Sequence, residues 1–223
     1  MRIHVPAILA ATAITATGLF VVPAQAAESA PTNRLMSQSD VQNFGGVRKP
    51  TNLHWSVTAR TTDLPNVLCI DAAGKDVVFP DAAGWSADAE VNSKQYASVT
   101  EFVRDYGSAD AATAAWSALA AATASCAPSA REALTSGNPK EYYKVTQFAS
   151  NAPDLVTVNE RSVAVSSDKR INGSSTVTYS SYRPSGNAII QVMYYQNPGK
   201  KLSAGLQNKV DDLSQSLAGR WAK

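Results

Sequence analysis

The chain carries two cysteines, Cys69 and Cys126, and its first residues decide what they can do. Residues 1–26, MRIHVPAILAATAITATGLFVVPAQA, hold one basic residue (Arg2), an apolar stretch from Val5 to Val22, and a small-x-small pattern at Ala24-Gln25-Ala26. That layout predicts a secretory signal peptide cut after Ala26. Gly18 and Pro23 make the stretch a poor membrane-spanning helix. No cysteine stands near the cut to take a lipid, so neither a lipid nor a stable membrane anchor is expected. The expected location is therefore extracellular, where two cysteines most simply form one disulfide. Cys69–Cys126 would close a loop of about 57 residues and stabilise the fold by roughly 4 kcal/mol in the chain-entropy model. A metal role fits less well, because there is no C-x-x-C spacing to support a zinc site.

Charge and histidine content remove whole classes of function. Charged residues make up 17% of the chain and the formal net charge is +2, with Arg2 inside the segment to be removed. A near-neutral chain lacks the basic stripe of a nucleic-acid binder, so no nucleic-acid partner is expected. After cleavage His4 is gone and His54, beside Trp55, is the histidine left. A Ser-His-Asp or Cys-His arrangement would depend on it, and a lone histidine beside an aromatic ring reads as structural. There is no phosphate-binding glycine loop, dinucleotide fingerprint or calcium loop. No cofactor and no metal are expected, and the chain is expected to be a monomer.

Residues 27–34 read as a disordered leader and 35–46 as a short helix stopped by Gly45-Gly46. Residues 47–90, with Pro50, Pro65 and Pro80, read as a long irregular region. Residues 91–106 alternate as a strand, with Val99, Glu101 and Val103 on one side and Phe102 and Arg104 on the other. An alanine-rich helix follows over 108–126, with Ser108 as cap and Ala112, Trp116, Leu119, Thr123 and Cys126 on one face. Strands are expected over 141–149 and 155–167, the second broken near Asn159-Glu160. Asn172-Gly173 signals a hairpin turn, 174–183 and 187–196 a further hairpin, and 201–222 an amphipathic helix. The predicted fold class is α+β: an antiparallel sheet with two amphipathic helices packed on one face and the other face open.

That open face supplies the candidate site. With Ile190, Val192 and Tyr194 turned toward the helices, Gln191, Met193 and Tyr195 point away, joined from the neighbouring strand by Thr178 and Tyr182. Tyrosine, amide, methionine and hydroxyl groups suit a neutral, partly apolar small molecule or a protein surface. The leading expectation is thus a secreted, non-catalytic binding domain with an extracellular small-molecule or protein partner. A secreted hydrolase using Glu101 and Glu160 is the rival, and it requires the two carboxylates to converge. A third reading is a cell-envelope interaction or inhibitor protein whose contact is the 47–90 region held by Cys69.

From Leu35 to Gly46, at Cys69, and through SVTEFVRDYGSADAATAAWSALAAATASC (98–126), the chain resembles the PknH-like extracellular sensor domain of actinobacteria. The terminal hairpin and helix, out to residue 222, fit as well. The resemblance implies an antiparallel sheet with two helices on one face, a polar cleft on the other, and extracellular ligand sensing. Members of that family often carry two disulfides, whereas this chain has cysteines for one. With no kinase domain in the sequence, the expectation is a sensor-type module over 35–223 secreted on its own.

Overall fold

A computed structural model describes residues 31–42, 55–61, 64, 66–92, 96–133, 140–167, 169–197 and 201–222. The elements run α1 (Gln38–Gln42), β1 (Trp55–Thr61), β2 (Val67–Ile70), β3 (Asp76–Val78), β4 (Ala83–Asn92), β5 (Tyr96–Asp105) and α2 (Ala109–Ala122). A 3-10 turn (Thr123–Ser125), β6 (Ser129–Ala133), β7 (Glu141–Ala152), β8 (Leu155–Ser166), β9 (Lys169–Ser185), β10 (Ala188–Asn197) and α3 (Ala204–Trp221) complete the chain. Eight strands make one antiparallel sheet in the order β1-β4-β5-β10-β9-β8-β7-β6, and β2 pairs with β3 as a separate hairpin. The α+β antiparallel class is as expected. The signal-peptide segment and His54 lie outside the described residues.

Local chemistry explains the helix ends. Ser108 is extended, and its hydroxyl accepts from the Ala111 N–H at 3.2 Å, capping α2 with Asp110 in the first turn. Ser203 caps α3 in the same way through the Leu206 N–H. Ser108→Ala should cost about 1 kcal/mol in a denaturant titration, and a change under about 0.3 kcal/mol would discount the cap. α1 is held by the Asp40 carboxylate, which accepts from both the backbone N–H and the hydroxyl of Ser37 at 2.7 Å.

The helices do not share a face, which corrects the expected arrangement. In β10, Ala188, Ile190, Val192 and Tyr194 join Val210, Leu213, Leu217 and Trp221 of α3 in one core. Ile189, of opposite parity, joins Ala115 and Leu119 of α2 in another, with Leu68, Cys69, Phe79, Val156, Val158 and Tyr182. The physical reason is the run AIIQVMYY in β10, which is apolar on both parities and needs cover on both sides. The first core is extended by β4 and β5 (Trp85, Ala87, Ala89, Val99, Val103) and by the N-terminal segment through Leu35, Met36 and Val41. Trp85 stacks on Trp221 with ring centroids 5.4 Å apart. α3 approaches the sheet closely because serines face it: Ser181 shares a 2.8 Å hydrogen bond with Ser214, and Ser185 donates to the Ala218 carbonyl. Gly84 lets β4 lie against β5, since a Cβ there would meet the Val103 carbonyl oxygen at 1.8 Å.

The 47–90 region is not an irregular loop. β1 and β4 add two strands to the sheet, and β2–β3 folds over the α2 face. β6 also went unforeseen; it pairs with β7 immediately after Pro128. Asn172-Gly173 lies inside β9, and the chain reverses between Ser166 and Lys169, which pair with each other, with Ser167 at a φ of 49°. β8 runs unbroken through Asn159-Glu160; its irregularity is at Val163–Val165. Residues 32–34, expected in a disordered leader, form a turn that sets the Arg34 guanidinium 5.6 Å from the Trp221 ring centroid.

Candidate functional site

The register of the sheet places side chains in rows across the α2 face. One row runs Glu90, Ser98, Tyr195, Thr178, Glu160 and Gln147. The next runs Asp88, Thr100, Met193, Ser180 and Val158, and the third Ser86, Phe102, Gln191, Tyr182 and Val156. The expected site residues therefore do lie together on one face. Thr178 stands directly opposite Tyr195, Ser180 opposite Met193, and Tyr182 opposite Gln191.

Their exposure divides them. Thr178, Met193 and Tyr195 are half-buried, whereas Tyr182 is 1% and Gln191 4% exposed. Tyr182 and Gln191 were expected to face solvent and do not, because α2 and the β2–β3 hairpin lie over the third row. Phe79 meets the Tyr182 ring edge-on at 5.9 Å, and Leu119 closes the same core. The Gln191 amide donates to the Tyr182 hydroxyl at 3.1 Å and, at 3.3 Å, to the Ser180 hydroxyl. Its carbonyl oxygen, Oε1, is buried with no hydrogen-bond partner among the described residues. A buried acceptor left unmade is costly, so this oxygen is one a bound molecule or water would stabilise.

The covering layer is itself tied down at two points. The Gln147 side chain accepts from the Ile70 N–H at 3.1 Å and donates to the Ile70 carbonyl, joining β7 to β2 as a substitute for strand pairing. The Cys69–Cys126 disulfide, with Cα atoms 5.6 Å apart, joins β2 to the residue that ends the 3-10 turn after α2. The expected pairing is thus present.

Within the first two rows Ser98, Thr100, Gln147, Val158 and Ser180 are buried, while Asp88, Glu90, Glu160, Thr178, Met193 and Tyr195 are half-exposed, a shallow trough rimmed at one end by Tyr96. That residue is 57% exposed, and its ring meets Tyr195 edge-on at 5.9 Å. Tyr96 was not singled out from sequence, although its place at the start of β5 follows from the strand alternation. Glu160 sits at the other end; burial raises its carboxyl pKa, with Glu132 and Asp76 adding to the shift, while a 3.0 Å hydrogen bond from Ser162 opposes it. The Thr100 hydroxyl donates to Asp88. A threonine hydroxyl, a thioether and two tyrosines line the trough beside the carboxyl groups of Asp88, Glu90 and Glu160, a surface suited to hydrogen bonding and apolar contact with a molecule that carries no negative charge.

The carboxylate-pair hydrolase is overturned. Glu101 lies on the α3 face, opposite Val192, whereas Glu160 lies on the α2 face, opposite Thr178. No cleft reaches both through the sheet, so they cannot act on one bond. Glu101 is instead sealed beneath the N-terminal segment, where its Oε2 accepts from the Met36 N–H. Among the described residues, no group of three or more His, Cys, Asp or Glu can hold a metal ion. Likewise, no helix among them is long and apolar enough to cross a membrane.

No protein-family model matches the chain, and no curated protein matches it. Among solved structures, the chain is similar to the extracellular domain of PknH from Mycobacterium tuberculosis at 13% sequence identity and a TM-score of 0.48, over 85% of this chain and 99% of that one.

Proposed function

We propose that the protein is an exported, non-catalytic binding module of the sensor-domain type, and that it seats a small, uncharged, partly apolar ligand in the trough on its α2 face. Thr178, Met193 and Tyr195 form the floor and Tyr96 one rim, with Gln191 buried under the cover next to it. The observation that carries this reading is the break in the cover. The protein's own segments bury most of the α2 face but leave half-open the rows where Tyr195 faces Thr178 and Met193 faces Ser180, beside the unsatisfied Gln191 oxygen. The disulfide supports an oxidising compartment, as export requires.

Tyr195→Ala and Met193→Ala test the proposal, because both side chains are half-exposed and their loss leaves the two cores intact. Native mass spectrometry of protein purified from culture medium should find a small molecule retained by the parent chain and lost from both variants. Each variant should melt within about 2 °C of the parent, since surface changes of this kind cost within about 0.5 kcal/mol. A parent chain that carries nothing, or variants that hold the same molecule as well as the parent, would overturn the assignment.

A further inference from the structure

The other face of the sheet is also only partly covered. α3 and the N-terminal segment pack over β4, β5, β9 and β10. Over β6, β7 and β8 no described element covers the same face: Lys144, Thr146, Phe148 and Ser150 of β7 are exposed, as are Arg131 of β6 and Arg161 of β8. Their partners of opposite parity in β7, Val145 and Gln147, are buried against the β2 side, so the orientation of the exposed set is fixed by the strand alternation.

Register brings the charges of this bare area together. Arg131 stands directly opposite Lys144, and Arg161 is opposite Thr146 in the adjoining row. Two like charges directly across an antiparallel pair weaken a sheet. Nothing of opposite sign on these strands relieves them, because Glu132, Glu141 and Glu160 all have the parity of the α2 face. The carboxylates on the α3 side are otherwise engaged or lie on the helix. Asp211 accepts from the Tyr179 hydroxyl at 3.1 Å, Asp154 pairs with Arg183 at 3.3 Å, and Asp212 sits on α3 beside Asp211.

Two aromatic rings flank the cations along the same strand. The Arg131 guanidinium lies 4.4 Å from the Tyr142 ring centroid, a cation–π contact that keeps it near the sheet. Phe148, at 71% exposure, is the most exposed large hydrophobic side chain described. It lies four residues beyond Lys144, about 13 Å along an extended strand. Such a span suits an extended chain better than a single small anion. Thr146 lies between Lys144 and Phe148, Asn159 stands opposite Phe148, and beyond it Ser150 and Thr157 share a 2.9 Å hydrogen bond, so hydroxyls and an amide surround the ring.

We infer that this bare β6–β8 face binds an acidic polysaccharide, with Arg131, Lys144 and Arg161 pairing to its carboxylate or phosphate groups and Phe148 packing against a sugar ring. A protein partner fits less well. The centre of a protein interface is desolvated and apolar, whereas here one large exposed hydrophobic stands among cations and hydroxyls. A charged, polyhydroxylated chain meets that mixture without burying an unpaired group, and Arg pairs bidentately with either kind of oxyanion. The inference does not depend on the trough of the opposite face.

The test is calorimetric titration of the purified chain with polygalacturonate, phosphorylated dextran, neutral dextran and polyglutamate at low and at high salt. Polygalacturonate or phosphorylated dextran should bind, with an affinity that falls as salt rises, and the stronger of the two identifies the anionic group. Neutral dextran should not bind. The double variant Arg131→Gln/Lys144→Gln should raise Kd about tenfold or more by removing two charge-assisted contacts. It should melt no lower than the parent, because a like-charge pair has gone. Phe148→Ser should weaken polysaccharide binding about threefold, the loss of one ring contact of roughly 0.6 kcal/mol, and Tyr195→Ala should leave it unchanged. The inference is overturned if neither polyanion binds, if the double variant binds like the parent, or if dextran binds as well as the acidic polymers. It is also overturned if polyglutamate binds as tightly as the polysaccharides with no contribution from Phe148, which would mark a surface for acidic proteins.

Discussion

Replacing Cys69 and Cys126 together by serine is expected to lower the unfolding free energy by about 4 kcal/mol, on the order of 10 °C in Tm for a chain of this size. The bond spans 57 residues and links β2 to the end of the α2 region. Freeing so long a loop raises the entropy of the unfolded chain, and a second consequence adds to this in the folded state. The β2–β3 hairpin is not hydrogen-bonded into the main sheet ladder. Besides the disulfide it is held by the Gln147–Ile70 pair, by the Ala127 N–H donating to the Ile70 carbonyl at 3.0 Å, and by the burial of Leu68 and Phe79. A two-stranded hairpin is marginal by itself, so opening the bond should loosen the cover over Tyr182 and Gln191 before the sheet melts. Hydrogen exchange should show early loss of protection at Leu68–Ile70 with β9 and β10 still protected. A double variant within about 1 kcal/mol of the parent, with uniform protection, would contradict the proposed role of the bond.

A pH dependence of comparable size is expected from Glu101. Burial pushes its carboxyl up to about 8, against the Met36 N–H hydrogen bond and the Arg220 charge that favour the ionised form, while Asp40 raises it further. Its second oxygen, Oε1, is buried without a hydrogen-bond partner among the described residues. The folded state thus retains a proton that the unfolded chain gives up above its ordinary value of 4.5. Protons bound in excess by the folded form mean that stability falls as pH rises. Full stability from this group is present below about pH 4.5 and is lost progressively as pH climbs through about 8. Between pH 5 and pH 8 the loss is on the order of 4 kcal/mol.

Asp40 works in the opposite sense and in another window. Although burial raises its pKa, hydrogen bonds from Arg220 and Ser37 outweigh this and hold it below 3.8, so its contribution is lost only in acid. Glu101→Gln keeps an acceptor for the Met36 N–H but has no charge to bury. Its unfolding free energy should therefore fall much less than the parent's between pH 5 and pH 8, the remaining decline coming from other carboxyls raised by burial, such as Glu160. Parallel profiles for the two proteins would refute the burial argument. The parent should also lose order first at Leu35–Val41, which cover Glu101, and a protease cutting near Met36 should act faster at pH 8 than at pH 5.

Sequence patterns carried the alternating strands and both long helices well, because each has a period that burial enforces. Ser108 and Ser203 mark the helix starts within a residue or two. Small residues hid most of the rest. β4 (AGWSADAEVN) and β6 (SAREA) have few β-branched side chains and are held by their neighbours rather than by their own preference. Asn172-Gly173 has strong local turn chemistry, but pairing of β8 with β9 on both sides of it, at Val163–Ser175 and Val165–Arg170, overrides it and moves the chain reversal to between Ser166 and Lys169.

The candidate site was legible as a set of side chains sharing one face. Its cover was not, because nothing local to Tyr182 or Gln191 announces that Phe79 will lie on them. The adjacent Ile189-Ile190 pair was the one available signal: apolar side chains on both parities require cover on both sides of the strand, and so one helix for each.

The join between β5 and β10 sets the order in which such a chain can mature. Residues 96–105 wait for residues 188–197, the last strand to leave a ribosome or an export channel, before their free edge is satisfied. Until then β1, β4 and β5 form a three-stranded fragment with a hydrogen-bonding rim available to any passing strand. The later strands, β6 to β10, pair in sequence order and close quickly as a local meander, whose last strand then takes the β5 edge. Premature termination anywhere upstream of Ala188 would therefore leave the N-terminal fragment as the aggregating species, and its sticky side would be β5.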